Sequence, residues 1–505
     1  MRTRPIAIHW IAFSAALLLG AECSRDETPG SAEPVARPPR IEPDYSGVTI
    51  PPNIAPLNFV IHEKGRRYRV EIASDEGNPI AIRTGTPQVR IPQSRWRDLL
   101  SRNRGRKIRF TVSVLDSANR WIRFDSVVNA VAREDIDGTL VYRLIRPLYI
   151  LWKNIGIRQR NLQNFGERTV LDNKPLDDGC FNCHSFLKNN PDNWSIHLRI
   201  APGTGMLLNR GGTTVLVDTR TEFNKSHAAY PAWHPDGRHI AFSVNKVKQF
   251  FHETGDNRDV YDLASDLILY DADSNTVTSS PYVADPGRLE TYPNWSPDGR
   301  QLYFCSAPAF DTSAVFDDNA YKKIRYDLAR VDFDPSAAAF GKPETVLSAE
   351  KTGLSVTHPR VSPDGNTLLF CMSEYGNFSI YRPSSDLYLM DLRTREVKRL
   401  DGVNSDRSDS YHSWSSNGRW FVFSSKREDG IHARPYFSYF DGQGNVHKPF
   451  VLPQEDPSFY ETCLMTFNVP ELVSGPLPQR TRALVDAARA SGRALKAKFV
   501  RPNLN

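Results

Sequence analysis

The residues with the most chemistry in them are Cys180-Phe-Asn-Cys183-His184, two thiols three apart followed at once by an imidazole. That spacing is the attachment site of a c-type haem. Each thiol can add across one vinyl group of a porphyrin, and the histidine beside the second anchor is carried under the ring. The pattern makes Cys180 and Cys183 the covalent anchors of one haem c and His184 the proximal iron ligand. Two other chemistries use paired thiols. A redox dithiol normally sits on a thioredoxin-like βαβ pattern, which is absent here, and a zinc site would lack its second pair of ligands.

An iron held by His184 needs a sixth ligand or an open face. His197, in Trp194-Ser-Ile-His197-Leu-Arg199, is the first candidate, and Met206, in Pro202-Gly-Thr-Gly-Met206, the second. Two histidines favour a low potential, methionine raises it, and an open face admits small molecules.

The start of the chain agrees with haem attachment, which in bacteria takes place outside the cytoplasmic membrane. Arg2 and Arg4 precede an apolar run, Ile6 to Leu19, too short to span a bilayer; residues 1–22 read as a secretory signal peptide. Cys23, followed by a Ser/Pro/Glu-rich stretch, resembles a lipoprotein cysteine on a disordered tether, residues 23–45. Glu22 stands where a small residue is usual, and cleavage after Ala21 is the alternative. The expected location is the periplasm or cell envelope of a bacterium, with a possible membrane tether through Cys23.

Composition narrows the class. The 505 residues are 40% hydrophobic and carry a net charge of +6, with both signs spread throughout, and they suggest two or three domains. No basic stripe with interleaved aromatics appears, so nucleic acid is not an expected partner. Short β-branched and aromatic runs between Gly, Pro, Asn and Asp make this mainly a β protein.

An internal repeat organises the second half. Tyr230-Pro-Ala-Trp-His-Pro-Asp-Gly237, Tyr292-Pro-Asn-Trp-Ser-Pro-Asp-Gly299, His358-Pro-Arg-Val-Ser-Pro-Asp-Gly365 and Tyr411-His-Ser-Trp-Ser-Ser-Asn-Gly418 align without gaps. Each is followed by an apolar strand, as in Ile240-Ala-Phe-Ser243 and Leu302-Tyr-Phe-Cys305. The Asp-Gly and Asn-Gly pairs supply a tight hairpin turn, and the aromatic ahead of it is expected to pack between blades. Cys305 and Cys371 fall at equivalent positions with Ser243 and Ser424, so they read as small buried side chains rather than a disulfide. Repeat position also accounts for His358, which stands where other blades have the aromatic, and His412, which replaces Pro. With His227, His234, His252 and His432 they are expected near blade edges without a metal. Acidic residues such as Asp256, Asp259 and Asp262 read as a solvated loop face.

These segments resemble the TolB-type propeller repeat over about residues 205–470, which implies five or six blades, six favoured. Tyr142-Arg-Leu-Ile-Arg-Pro-Leu-Tyr149, Asn161-Leu-Gln-Asn-Phe-Gly-Glu167, the CxxCH segment and Lys248-Gln-Phe-Phe-His252 are similar to a bacterial family of exported proteins. Those proteins join one c-type haem site to a TolB-like propeller. Strand-like alternation marks a β-sandwich-like domain at 46–150; a haem-binding segment at 151–208, a propeller at 209–470 and a tail at 471–505 follow, the tail with one basic amphipathic helix that packs on the propeller or, as the alternative, touches anionic lipid. Two functions are in play, a c-type haem electron carrier whose propeller docks an envelope redox partner, or a propeller-based binding or scaffold protein in which haem is structural or sensing; an enzyme using an open haem face or the propeller funnel is a third, weaker option. No phosphate loop, nucleophile elbow or zinc-protease helix is present, so no further catalytic constellation is expected.

Overall fold

The computed structural model describes residues 32–147, 154–200, 204–250, 259–310 and 320–501. The signal segment, Cys23, His252 and Asp256 lie outside the described residues.

The N-terminal domain is a two-sheet sandwich. Arg67–Ser74 buries Tyr68, Val70 and Ile72, and Lys107–Leu115 buries Ile108, Phe110, Val112 and Val114, the period-2 pattern of strands with one face on a core. Helix Gln93–Arg102 covers that core with Trp96, Leu99 and Leu100. Chain assigned to the tether takes part: Glu33–Val35 pairs in parallel with Trp121–Phe124, and Ile41–Glu42 pairs with Phe59–Ile61.

Among the described residues, six four- or five-stranded sheets then follow one another in propeller fashion, numbered here as blades. Blade 1 combines Thr139–Ile145, Ile155–Asn161 and Glu167–Asp172 with the late strand Thr466–Val473 as its innermost member. Blades 2 to 6 begin with the inner strands Cys180–Phe186, Ala229–Trp233, Arg288–Trp295, Ser355–Val361 and Asp409–Trp414. Successive inner strands touch, and Thr466–Val473 touches those of blades 2 and 6, which closes the ring. Pairing an early segment with a late one leaves no free inner edge at the seam.

Two expected boundaries change. The propeller begins at Thr139 rather than 209, because Thr139–Ile145 joins blade 1 instead of the sandwich. Residues 151–208 are not a separate haem segment; they supply two strands of blade 1 and most of blade 2. Blade 2 escapes the repeat because its turn reads Asn190-Pro-Asp-Asn193 instead of Ser-Pro-Asp-Gly, and its inner strand carries Cys183-His184 in place of Tyr-Pro.

The tryptophans of the repeat lock neighbouring blades. Trp295 Nε1 donates to the Ala232 carbonyl at 3.1 Å, and Trp414 Nε1 to that of Arg360 at 3.1 Å. Cys305 and Cys371 are buried, unbridged thiols. The tail helix stops at Arg489, ahead of Gly492, and buries Leu484, Val485 and Ala488 in the cluster containing Trp194. Beyond it Leu495–Lys496 and Lys498–Phe499 add parallel to the outer strands of blades 2 and 3.

Candidate functional site

The CxxCH motif lies on the innermost strand of blade 2, and a β-bulge turns it toward the propeller axis. Asn182 pairs with His197 and His184 with Ile196, so Cys183 is an extra residue in the ladder. Its φ is +46°, and the same left-handed bulge recurs at Tyr230, Tyr292, His358, Tyr411 and Val469, one on each inner strand. In a regular strand, residues three apart would face opposite sides; the bulge cancels that. Cys180, Cys183 and His184 consequently all line the central channel.

Six equivalent positions ring this channel: Cys183, Tyr230, Tyr292, His358, Tyr411 and Val469. Four of them form an aromatic belt, with ring centroids 4.5 Å apart for Tyr230–Tyr292, 4.0 Å for Tyr292–His358 and 4.7 Å for His358–Tyr411. These residues line the channel, whereas the tryptophans lie between blades. Arg143 and Arg199 add positive charge to the wall beside the thiols. The long hairpin His239–Phe250 and Asp259–Asp271 extends the wall with Val247, Gln249 and Val260. Counted with its open mouth, the void is about 1280 Å³.

The channel narrows at an ion pair. Arg360 Nη2 lies 2.9 Å from Glu471 Oε1, and both residues border the cavity on either side of this point. The second cavity is walled by Trp233, Trp295 and Trp414 and opens at the turn end of the blades.

Burial favours the neutral forms of His184, Cys183, Tyr230 and Tyr292. Burial, then the Arg143 charge, pushes the His184 pKa down to about 3, while the backbone of Val141 and Val469 opposes the shift. Both His184 ring nitrogens are buried without a hydrogen-bond partner of normal geometry. Burial raises the Cys183 thiol pKa and drives those of Tyr230 and Tyr292 well above the ordinary phenol value.

Cys180 and Cys183 are unbridged thiols on an extended, bulged strand. Their sulfurs and the His184 nitrogens also do not converge: among the described residues, the only three such groups with ligand atoms within 4.8 Å of one another are His234, Asp236 and His239. Cys180, Cys183 and His184 on one wall, with Arg143 and Arg199 beside them, are the residues that would hold a c-type haem. Bound there, haem would supply iron redox chemistry; Cys180 and Cys183 would hold it covalently and His184 axially.

The distal candidates need correction. His197 lies one strand out from the axis, at the position of Ser243, Cys305, Cys371 and Ser424. At that position side chains meet the next blade: the Ser243 hydroxyl donates to Thr291 Oγ1 at 3.0 Å, and the Ser424 hydroxyl to the Phe467 carbonyl at 3.0 Å. His197 likewise neighbours His227 on the approach to blade 3, and its Nε2 accepts from Arg199 Nε at 3.3 Å. Met206 is on the third strand, packed with Leu208, Val217 and Trp233. Neither borders the channel.

Asp259 and Asp262 are also not solvated. Asp262 is fully buried and accepts from Asn245 at 3.0 Å, Asn377 at 2.6 Å and Tyr326 at 3.3 Å, while Asp259 meets Arg382, Tyr321 and Tyr375. The His234–Asp236–His239 group is a turn device. Ser296, Ser362 and Ser415 donate to the turn Asp or Asn in later blades, and His234 takes that place in blade 3.

No protein-family model matches the chain. It is 25% identical over 207 residues to "Uncharacterized peptidase YuxL" of Bacillus subtilis (strain 168), a match covering 38% of this chain and 29% of that protein. Three solved structures show weaker likenesses. They are prolyl oligopeptidase B from Galerina marginata (10% identity, 68% of this chain and 42% of that one, TM-score 0.34), the β-propeller domain of the trilobed protease from Pyrococcus furiosus (12%, 68% and 81%, 0.30) and Kuenenia stuttgartiensis hydrazine synthase (12%, 51% and 63%, 0.28). The propeller assignment rests on the six sheets described above.

Proposed function

We propose that this is a propeller-based binding protein whose central channel carries one covalently attached c-type haem, held by Cys180 and Cys183 with His184 on the iron. The observation that carries the reading is the bulge at Cys183, which turns both thiols and the imidazole onto one wall of the channel. The residues flanking them suit a porphyrin: an aromatic belt for the macrocycle and Arg143 and Arg199 for its carboxylates. The reading requires export, consistent with the signal-like start of the chain.

A structural or sensing role for the haem is favoured over that of a mobile electron carrier. Electron exchange between proteins works best when a haem edge reaches the surface. Here the wall rises past the thiols through the long blade 3 hairpin, and Arg360–Glu471 narrows the way to the far end. The two mouths of the channel and the sandwich remain as surfaces for a partner in the envelope.

The test is expression of the full chain with the haem-attachment machinery of the periplasm, followed by a pyridine haemochrome assay. The wild type is expected to give the spectrum of a thioether-linked haem. Cys180→Ala/Cys183→Ala is expected to lose the haem and keep its β-rich circular dichroism. A wild type that folds and exports without haem would refute the reading.

A further inference from the structure

His358 borders the same cavity as His184 and comes from the other side of the ring. Cys180–Phe186 is the inner strand of blade 2 and Ser355–Val361 that of blade 5. In a closed ring of six, these are diametrically opposed. His358 is 8% exposed, and its Nε2 is buried without a partner. Its other nitrogen, Nδ1, lies 3.4 Å from the Ser379 hydroxyl. With the proton on Nδ1 directed at that oxygen, Nε2 keeps a bare lone pair on a residue that borders the channel, the second-sphere arrangement that orients a ligating histidine.

The remaining channel histidine is committed. His412 Nε2 donates to the Leu369 carbonyl at 2.9 Å, and its Nδ1 faces the Cys371 thiol at 3.6 Å. Tyr230 and Tyr292 pack against each other in the aromatic belt. His197 and Met206 lie behind the wall.

We infer that His358 is the second axial ligand of the iron, so that the haem spans the channel from its thioether anchors on blade 2 to an imidazole on blade 5. This rests on the haem reading above and adds the identity of the distal ligand and a role for the cofactor as a tie between opposite blades. Two imidazoles give a six-coordinate, low-spin iron with a low potential and leave no open position for a small molecule.

The experiment uses the exported, haem-loaded protein, with haem content first established by the haemochrome assay. Electronic absorption and electron paramagnetic resonance of the ferric wild type are expected to be those of a low-spin, bis-imidazole iron. His358→Phe matches the shape of the tyrosines that fill this position in blades 3, 4 and 6, so the fold has a precedent for it. It is expected to keep the covalent haem and turn high-spin, and added imidazole is expected to restore the low-spin spectrum to His358→Ala. His412→Ala is expected to remain low-spin. A loaded His358→Phe with the wild-type low-spin spectrum, or a high-spin wild type, would overturn the assignment while leaving the haem reading intact. A chain without haem would overturn both.

Discussion

Arg360 on blade 5 and Glu471 on the closing strand of blade 1 meet at 2.9 Å where the two cavities of the channel join. Blade 6 lies between those blades, so the pair skips a blade rather than linking neighbours. It also fastens the late strand that closes the ring.

Replacing Glu471 with Gln should therefore weaken ring closure. Removing one partner of a fully buried ion pair costs about 3–5 kcal/mol. The Arg360 side chain keeps 28% exposure and can recruit water, so a loss of about 2–3 kcal/mol is expected. Urea unfolding followed by tryptophan fluorescence measures it, and an unchanged midpoint would mean that the pair contributes nothing to closure.

Asp262 gives the pH profile a slope. Burial raises its pKa to about 7, against an unfolded value near 4. Between those values the folded chain holds a proton that the unfolded chain has released, so stability falls as pH rises through the window. Glu290, raised to about 8 chiefly by burial, adds to the fall. His227 and His412, lowered by burial to about 4 and about 3, act oppositely: they are neutral in the fold and take stability away as pH drops below about 6.5. Above about pH 6.5 the carboxyl groups stand alone, and Asp262→Asn should flatten the decline between pH 6.5 and 8 whatever it does to absolute stability. The Asp262 share is at most about 4 kcal/mol over its whole window. Denaturant midpoints at three pH values check it; parallel profiles for the two proteins would contradict the assignment.

His197→Ser should be tolerated by fold and by iron alike. Two other blades carry serine at this position, Ser243 and Ser424, and the side chain faces the next blade rather than the channel. The loaded variant is expected to show the wild-type iron spectrum with a stability loss of about 1–3 kcal/mol for the cavity left behind. A spin-state change would return His197 to the list of ligands.

Much of the propeller is legible in sequence because the turns of blades 3 to 6 read His-Pro-Asp-Gly, Ser-Pro-Asp-Gly or Ser-Ser-Asn-Gly with a strand behind each. Blades 1 and 2 are not. Blade 1 is assembled from Thr139–Ile145 and Thr466–Val473, more than 300 residues apart, and no local pattern announces that pairing. Blade 2 hides because its chemistry occupies the repeat itself: Cys183-His184 stands where blades 3 and 4 carry Tyr-Pro. Aligning His184 with Pro231 would have put the motif on the channel, and aligning His197 with Ser243 would have removed it as a ligand. The burial of Asp262 gives no signal in sequence, since its partners Asn245, Tyr326 and Asn377 come from three blades.

The central claim is most directly tested by mass spectrometry of the proteolytic fragment containing residues 180–184, taken from protein matured in a bacterial envelope. The account predicts that this fragment carries the mass of one haem on two thioether bonds, and that no other cysteine-containing fragment does. A fragment with two free thiols, from protein that exported and folded normally, would contradict it.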